Sequence, residues 1–223
     1  MTPSISAVIV AAGSSTRMGT PKQFISLGGR PLIAHTLVAF EQCTAIGEIV
    51  VVAQEEHHAR LRDVAETYGI TKLSAIVCGG NTRQQSVRRG VDACDADYVA
   101  IHDGARPLVT PAIIDRVIQG AVQYGAATAA VRAKDTVKIA DENGLVIETP
   151  DRTALWNVQT PQIFEKALYE RAWRHAAAQG LDLTDDCQLI EAIGGQVKLV
   201  EGSYTNIKVT TLEDVPFAEE LLR

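Results

Sequence analysis

Apolar residues in this chain fall into two alternating arrangements: short β-branched runs, and longer stretches whose apolar positions recur every three or four residues. The runs at 5–10, 48–53, 74–78, 98–102 and 126–132 have strand length. Between them, 31–42, 55–68 and 81–94 carry helical spacing, and a further helix opens where Thr110 can cap and Pro111 can take the first position. Strand alternating with helix implies a mostly parallel sheet covered on both faces, with ligands at the carboxyl ends of its strands. The expected fold is therefore α/β, a Rossmann-like, doubly wound, mostly parallel sheet.

After residue 132 the rhythm breaks. The β-rich runs 136–139 and 145–149 flank Asp141-Glu142-Asn143-Gly144, and Asn-Gly between such runs signals a hairpin. An isolated hairpin is marginal in water. Residues 133–157 are thus expected to form a projecting β-hairpin arm that needs something to pack on. Beyond the arm, 164–179 and 184–193 read as helices and 196–200 and 206–209 as strands, before a terminal helix whose start, Thr211-Leu212-Glu213-Asp214, resembles a capping box. A length of 223 residues fits one domain spanning 1–223 better than two.

The most informative segment follows the first strand: Ala11-Ala12-Gly13-Ser14-Ser15-Thr16-Arg17-Met18-Gly19-Thr20-Pro21-Lys22-Gln23. Small residues let backbone N–H groups approach an anion, and Arg17 and Lys22 add charge. The spacing fits neither a P-loop nor the dinucleotide fingerprint. Either cation alone would read as an ordinary solvated side chain. The ordered combination of strand, glycine, Arg and Pro-Lys-Gln favours a polyphosphate loop.

Charge sharpens this reading. A formal net charge of −6 argues against a nucleic-acid surface. An acidic protein can hold a polyanion only by focusing its cations into one cleft, so Arg17, Lys22, Arg106, Arg152 and Lys208 are expected to converge. The absence of a long apolar stretch and of a secretory pattern at residues 1–6 points to a cytoplasmic, membrane-free protein. Cys43, Cys78, Cys94 and Cys187 are scattered without metal-ligand spacing, which fits reduced thiols, and His57-His58 sits in a polar helical stretch. No protein metal site is expected.

The loop string, with His102-Asp103-Gly104-Ala105-Arg106-Pro107, Asp151-Arg152, Gln159-Thr160-Pro161-Gln162 and Asn206-Ile207-Lys208-Val209-Thr210, resembles the 2-C-methyl-D-erythritol 4-phosphate cytidylyltransferases of non-mevalonate isoprenoid synthesis. The match runs in register from about Ile5 to the C-terminus. Two departures stand out: Ser15 replaces a second glycine of many relatives, and the stretch between Arg17 and Lys22 is shorter than in some.

The resemblance implies attack of a polyol phosphate on the α-phosphorus of CTP, with release of pyrophosphate. The attacking group is already an anion, so no general base is needed. Catalysis reduces to alignment and charge stabilisation. By correspondence, Arg17 and Lys22 stabilise the transition state, with Lys208 and Arg152 also in catalytic positions. Ala11, Ala12, Gly13, Gly80, Asn81, Ser86, Asp103 and Ala105 frame the nucleotide; Arg106, Thr136, Arg152, Thr160, Thr184 and Lys208 take the polyol phosphate. Mg²⁺ is implied, held mainly by the CTP phosphates. In this family the arm embraces a second subunit, which implies a homodimer with Arg152 and Thr136 reaching into the partner's site.

Rival readings are a ribitol 5-phosphate cytidylyltransferase and a non-catalytic nucleotide or sugar-phosphate sensor. Asp135-Thr136-Val137-Lys138 and Thr153-Ala154-Leu155-Trp156 match the methylerythritol enzymes better than the first, and retention of both Arg17 and Lys22 weighs against the second.

Overall fold

The computed structural model describes residues 3–13 and 21–223. In chain order the elements are β1 (Ile5–Val10), β2 (Ser26–Leu27), β3 (Arg30–Pro31), α1 (Leu32–Gln42), β4 (Glu48–Ala53), α2 (His58–Thr67), β5 (Leu73–Cys78) and α3 (Arg83–Asp92). Next come β6 (Tyr98–Asp103), α4 (Pro111–Tyr124), β7 (Ala126–Arg132), β8 (Ile139–Ala140), β9 (Val146–Glu148) and β10 (Trp156–Glu165). The chain ends with α5 (Lys166–Gln179), α6 (Asp186–Ala192), β11 (Lys198–Glu201) and α7 (Asp214–Leu221).

Seven strands form the central sheet in the order β11-β7-β10-β6-β1-β4-β5. The pairs β1–β4, β1–β6, β4–β5 and β7–β11 are parallel, whereas β10 runs against β6 and β7. Side chains alternate across each strand. Ala7, Ile9, Ile49 and Val51 enter one core with α1, α2 and α4, while Val8, Val50 and Val52 enter the other with α3, α5 and α6. The sheet is thus doubly wound, as the alternating pattern implies.

Local signals account for the helix ends. Thr82 and Thr110 accept from the N–H groups of Gln85 and Ile113, capping α3 and α4. Asp214 Oδ2 accepts from the N–H groups of Thr210 and Thr211, the carboxylate half of a capping box. Asp141 Oδ1 accepts from the N–H groups of Asn143 and Leu145, and Gly144 takes φ 82°, closing the hairpin between β8 and β9.

Three expectations need correction. The strand β10 is not evident in the sequence, because Gln159-Thr160-Pro161-Gln162 interrupts its apolar pattern; the ladder with β7 shifts register between Val158 and Gln162. The helix placed at 164–179 begins at Lys166, since Phe164 and Glu165 belong to that strand. Residues 206–209 join no sheet; Val209 N–H donates to Ala105 O at 2.8 Å, pinning the segment beside the end of β6.

Helix α3 lies close to the sheet through Gly90. A Cβ there would meet Val52 Cγ2 at 2.7 Å and Val8 closer still. Gly90→Ala is therefore expected to destabilise the protein by about 1–3 kcal/mol through overpacking, against the ~1 kcal/mol that Ala gains in helix propensity. Urea unfolding measures the balance, with a lowered midpoint expected.

Candidate active site

The carboxyl ends of β1, β5 and β6 open onto a cleft of about 440 Å³. Ala11, Ala12 and Gly13 continue β1 along one side, with Lys22, Gln23 and Gln54 near them in the lining. Ala11 N–H donates to Val52 O at 2.7 Å, so the chain leaves the sheet in a fixed direction. Gly79 faces Ala12 so tightly that any Cβ on it would clash with the Ala12 methyl group, which explains a glycine there.

A second wall comes from Gly80, Asn81, Thr82, Arg83 and Ser86 at the start of α3. Ser86 Oγ accepts from Gly80 N–H at 3.0 Å and donates to Thr82 O at 2.9 Å, while Asn81 N–H donates to Gln85 Oε1 at 3.0 Å. A helix N-terminus favours negative charge.

Asp103, Gly104, Ala105 and Lys208 complete the lining. Asp103, 8% exposed, meets three cations: Lys208 Nζ at 2.8 Å and Arg106 Nε at 3.9 Å from Oδ2, and Arg83 Nη2 at 3.7 Å from Oδ1. Burial alone would push this carboxyl up, but Lys208, Arg83 and Arg106 outweigh it and bring it down to about 2.

His102, directly before Asp103, is fully buried. Its Nε2 lies 3.2 Å from Arg106 O and its Nδ1 3.0 Å from Thr160 Oγ1. A carbonyl can only accept, so Nε2 carries the proton and Nδ1 accepts from the Thr160 hydroxyl. Thr160 Oγ1 in turn accepts from Asp103 N–H at 3.1 Å. Burial lowers the imidazole to about 4, which keeps this tautomer neutral at pH 7.

The residues expected from the sequence separate into groups. Ala11, Ala12, Gly13, Lys22, Gly80, Asn81, Ser86, Asp103, Ala105 and Lys208 all line the cleft. Arg106 and Thr160 are absent from its lining and stand behind Asp103; Arg106 also donates to Asn206 O at 2.8 Å. Thr184 is exposed just ahead of α6, and Arg152 and Thr136 are exposed on the arm, outside the cleft of their own chain. Arg17 lies outside the described residues. Arg83, Thr82, Gln23 and Gln54 are lining residues that sequence reasoning missed. For Arg83 a signal existed, three positions after Gly80 at a capped helix start.

Among the described residues no group of three or more His, Cys, Asp or Glu could hold a metal ion. Asp103 is the acidic residue in the lining, and both of its oxygens face cations. A divalent ion entering this cleft would find Asp103 as its carboxylate ligand among the described residues, with its other positions left to water or phosphate oxygens.

Fold and cleft define an α/β protein whose cleft, at the carboxyl ends of a mostly parallel sheet, is lined by Lys22, Arg83 and Lys208 and suits an anionic ligand. Comparison with known proteins narrows the class. A sequence model of the 2-C-methyl-D-erythritol 4-phosphate cytidylyltransferase family matches residues 5–223, and the chain belongs to that family. It is 48% identical to the enzyme of that name from Caldanaerobacter subterraneus subsp. tengcongensis, over 98% of this chain and 99% of the relative. The crystal structure of 4-diphosphocytidyl-2C-methyl-D-erythritol synthase from Anaerococcus prevotii superposes with a TM-score of 0.90 at 35% identity, covering 100% of this chain and 99% of that one. The Thermus thermophilus cytidylyltransferase superposes with a TM-score of 0.80 at 34% identity, over 97% and 98% of the two chains.

The buried His102 makes stability depend on pH. Its folded value of about 4 lies below the ordinary 6.5, so the unfolded chain binds the extra proton between these values. Stability from this residue is complete above pH 6.5 and is lost as pH falls towards 4, by about 3 kcal/mol in all. Urea unfolding across this window should show that loss, and His102→Gln should flatten it.

Proposed function

We propose that this chain transfers CMP from CTP to 2-C-methyl-D-erythritol 4-phosphate in isoprenoid precursor synthesis, at the cleft between β1, α3 and β6. Its family membership supports the chemistry. The observation that carries the reading is local: a chain with net charge −6 gathers Lys22, Arg83 and Lys208 into one cleft beside a small-residue loop and a helix N-terminus. Such focusing suits two anionic substrates.

In this reading the substrate phosphate attacks the α-phosphorus in line, and pyrophosphate leaves. Lys22 and Arg17 stabilise the charge that spreads over the α-phosphate oxygens. Ala11, Ala12, Gly13, Gly80, Asn81, Ser86 and Ala105 frame the nucleotide. Lys208 receives the polyol phosphate, while Arg106 and Thr160 hold Asp103, and with it Lys208, in register. Thr184 assists from the loop ahead of α6. Mg²⁺ would neutralise the triphosphate, bound mainly through its phosphates.

The working form is a cytoplasmic homodimer. Support for the dimer comes from the arm, where Leu145 is 67%, Val146 60% and Ile147 67% exposed, an apolar tip that water does not stabilise. Among the described residues no helix is long and apolar enough to cross a membrane.

Pyrophosphate release with each of the four NTPs, offered methylerythritol phosphate or ribitol 5-phosphate, tests the assignment. Activity confined to CTP and methylerythritol phosphate is expected. Lys22→Ala should lower kcat by roughly 10²–10³, the size typical of a lost transition-state contact, with a smaller change in KM for CTP. Lys208→Ala should instead chiefly impair use of the polyol phosphate and leave CTP binding, measured alone, intact. A rise in the KM for CTP without a fall in kcat would remove Lys22 from its assigned role.

Subunit mixing tests the shared site. With Arg152 acting in the partner's cleft, a heterodimer of Lys22→Ala and Arg152→Ala chains places both lesions in one site and leaves the other whole. Random reassortment of two nearly inactive homodimers should then restore about a quarter of all sites. No regain despite demonstrated exchange would place both residues in one chain's site.

A further inference from the structure

We propose that Arg83 is a positioning residue, which holds Asp103 in place from a buried anchor, Asp186, and so ties the nucleotide wall of the cleft to the segment that leads into α6. The inference rests on reading the cleft as the site of cytidylyl transfer.

The two ends of one guanidinium do different things. Nη1 lies 2.6 Å from Asp186 Oδ2, and Nη2 lies 3.7 Å from Asp103 Oδ1. Asp186 is 2% exposed and accepts from the Tyr169 hydroxyl at 3.3 Å through its other oxygen. Burial holds Asp186 above the ordinary carboxylate range although Arg83 pulls it down, so this anchor depends on keeping its cation. Removing one member of a buried pair strands the other.

Asp103 is held at both oxygens, by Arg83 on Oδ1 and by Lys208 on Oδ2. An arriving substrate phosphate competes with Asp103 for cations. Lys208, whose side chain is 39% exposed and has a single charged nitrogen, can turn to the phosphate. Arg83, fixed to Asp186, cannot follow, so when Lys208 leaves Oδ2 to the longer 3.9 Å contact with Arg106, Oδ1 keeps its partner. The same turn of α3 also supplies Gln84, whose Oε1 accepts from Leu183 N–H at 2.9 Å. Gln162 meanwhile holds Asp185 at 2.5 Å. Residues 183–186 are thereby moored to the head of α3 and to β10, with Thr184 among them.

Lysine cannot substitute in this role. It carries the charge but lacks a rigid fork to engage two carboxylates at once. Arg83→Lys should still pair with Asp186 and preserve the fold, yet release Asp103.

The test uses the full-length protein and compares wild type with Arg83→Lys, Asp186→Asn and the double variant, by steady-state kinetics, CTP binding alone and thermal unfolding. Arg83→Lys is expected to keep a melting temperature near that of wild type and to lower kcat by about tenfold or more, the scale on which slight misplacement acts, with CTP affinity within roughly threefold. Asp186→Asn should act in the same direction. The double variant should be no worse than the poorer single, because both changes break one linkage. Wild-type kcat in Arg83→Lys, or in Asp186→Asn, overturns the proposal. A raised KM for CTP at unchanged kcat overturns it too, by making Arg83 a substrate contact. A wild-type chain that releases no pyrophosphate would overturn the assigned activity, and the positioning role with it, whereas an active wild type beside an equally active Arg83→Lys removes the positioning role alone.

Discussion

A carboxylate at 8% exposure is held at the end of β6 by three cations: Arg106 three residues on, and Arg83 and Lys208 from distant parts of the chain. Burying Asp103 without them would leave an uncompensated charge, at a cost of about 3–5 kcal/mol. With them, the carboxyl falls to about 2, and Asp103, net of its burial, adds about 2 kcal/mol of stability that is complete above pH 3.8 and disappears as pH falls through 2. The head of α3, the loop after β6 and the segment before α7 therefore have to meet at one point. The cleft is the space they leave.

The layer beneath is built to be uncharged and rigid. His102 is neutral, packs against Phe40 with ring centroids 5.0 Å apart and the rings tilted by 55°, and bonds through both ring nitrogens. A protonated ring would confront the Thr160 hydroxyl with a second donor, and that hydroxyl already accepts from Asp103 N–H. Burial keeps the proton off, so the charge balance above it involves only groups that stay ionised at neutral pH. An acidic protein can present a cationic cleft because Lys22, Arg83 and Lys208 line it at the carboxyl ends of the strands, where Asp103 is the acidic residue of the described lining.

Much of this was legible in sequence because the relevant signals are local. Runs such as Ile5–Val10 and Glu48–Ala53 declare buried strands, Thr110-Pro111 declares a helix start, and Asn143-Gly144 declares a turn. The small-residue loop and Lys22 pointed to the cleft for the same reason. What escaped notice depends on partners far along the chain. β10 is defined by pairing with β6 and β7 and not by its own interrupted pattern. Arg83 gains its meaning only from Asp103 and Asp186, twenty and more than a hundred positions away. Arg106 and Thr160 were expected to take the polyol phosphate, and only the structure shows that they stand behind Asp103 and not in the lining.

The arm follows a different design from the cleft. Its base is firmly rooted: Arg132 stacks on Trp156 at 4.4 Å, Lys134 lies 3.6 Å from the Tyr204 ring centre, and Tyr204 donates to Arg132 O at 2.9 Å. Its tip is the reverse, with Ile139, Leu145, Val146 and Ile147 open to solvent. Each such side chain, once fully buried, contributes about 1.5–3 kcal/mol. These contacts tie the base of the arm to the end of β7 and to Tyr204, although Arg132, Lys134 and Tyr204 are themselves exposed. Arg152, whose Nη1 donates to Lys134 O at 2.9 Å, sits at that root and outside its own cleft. Any substrate contact it makes in the proposed dimer would therefore fall in a cleft other than the one its own chain forms.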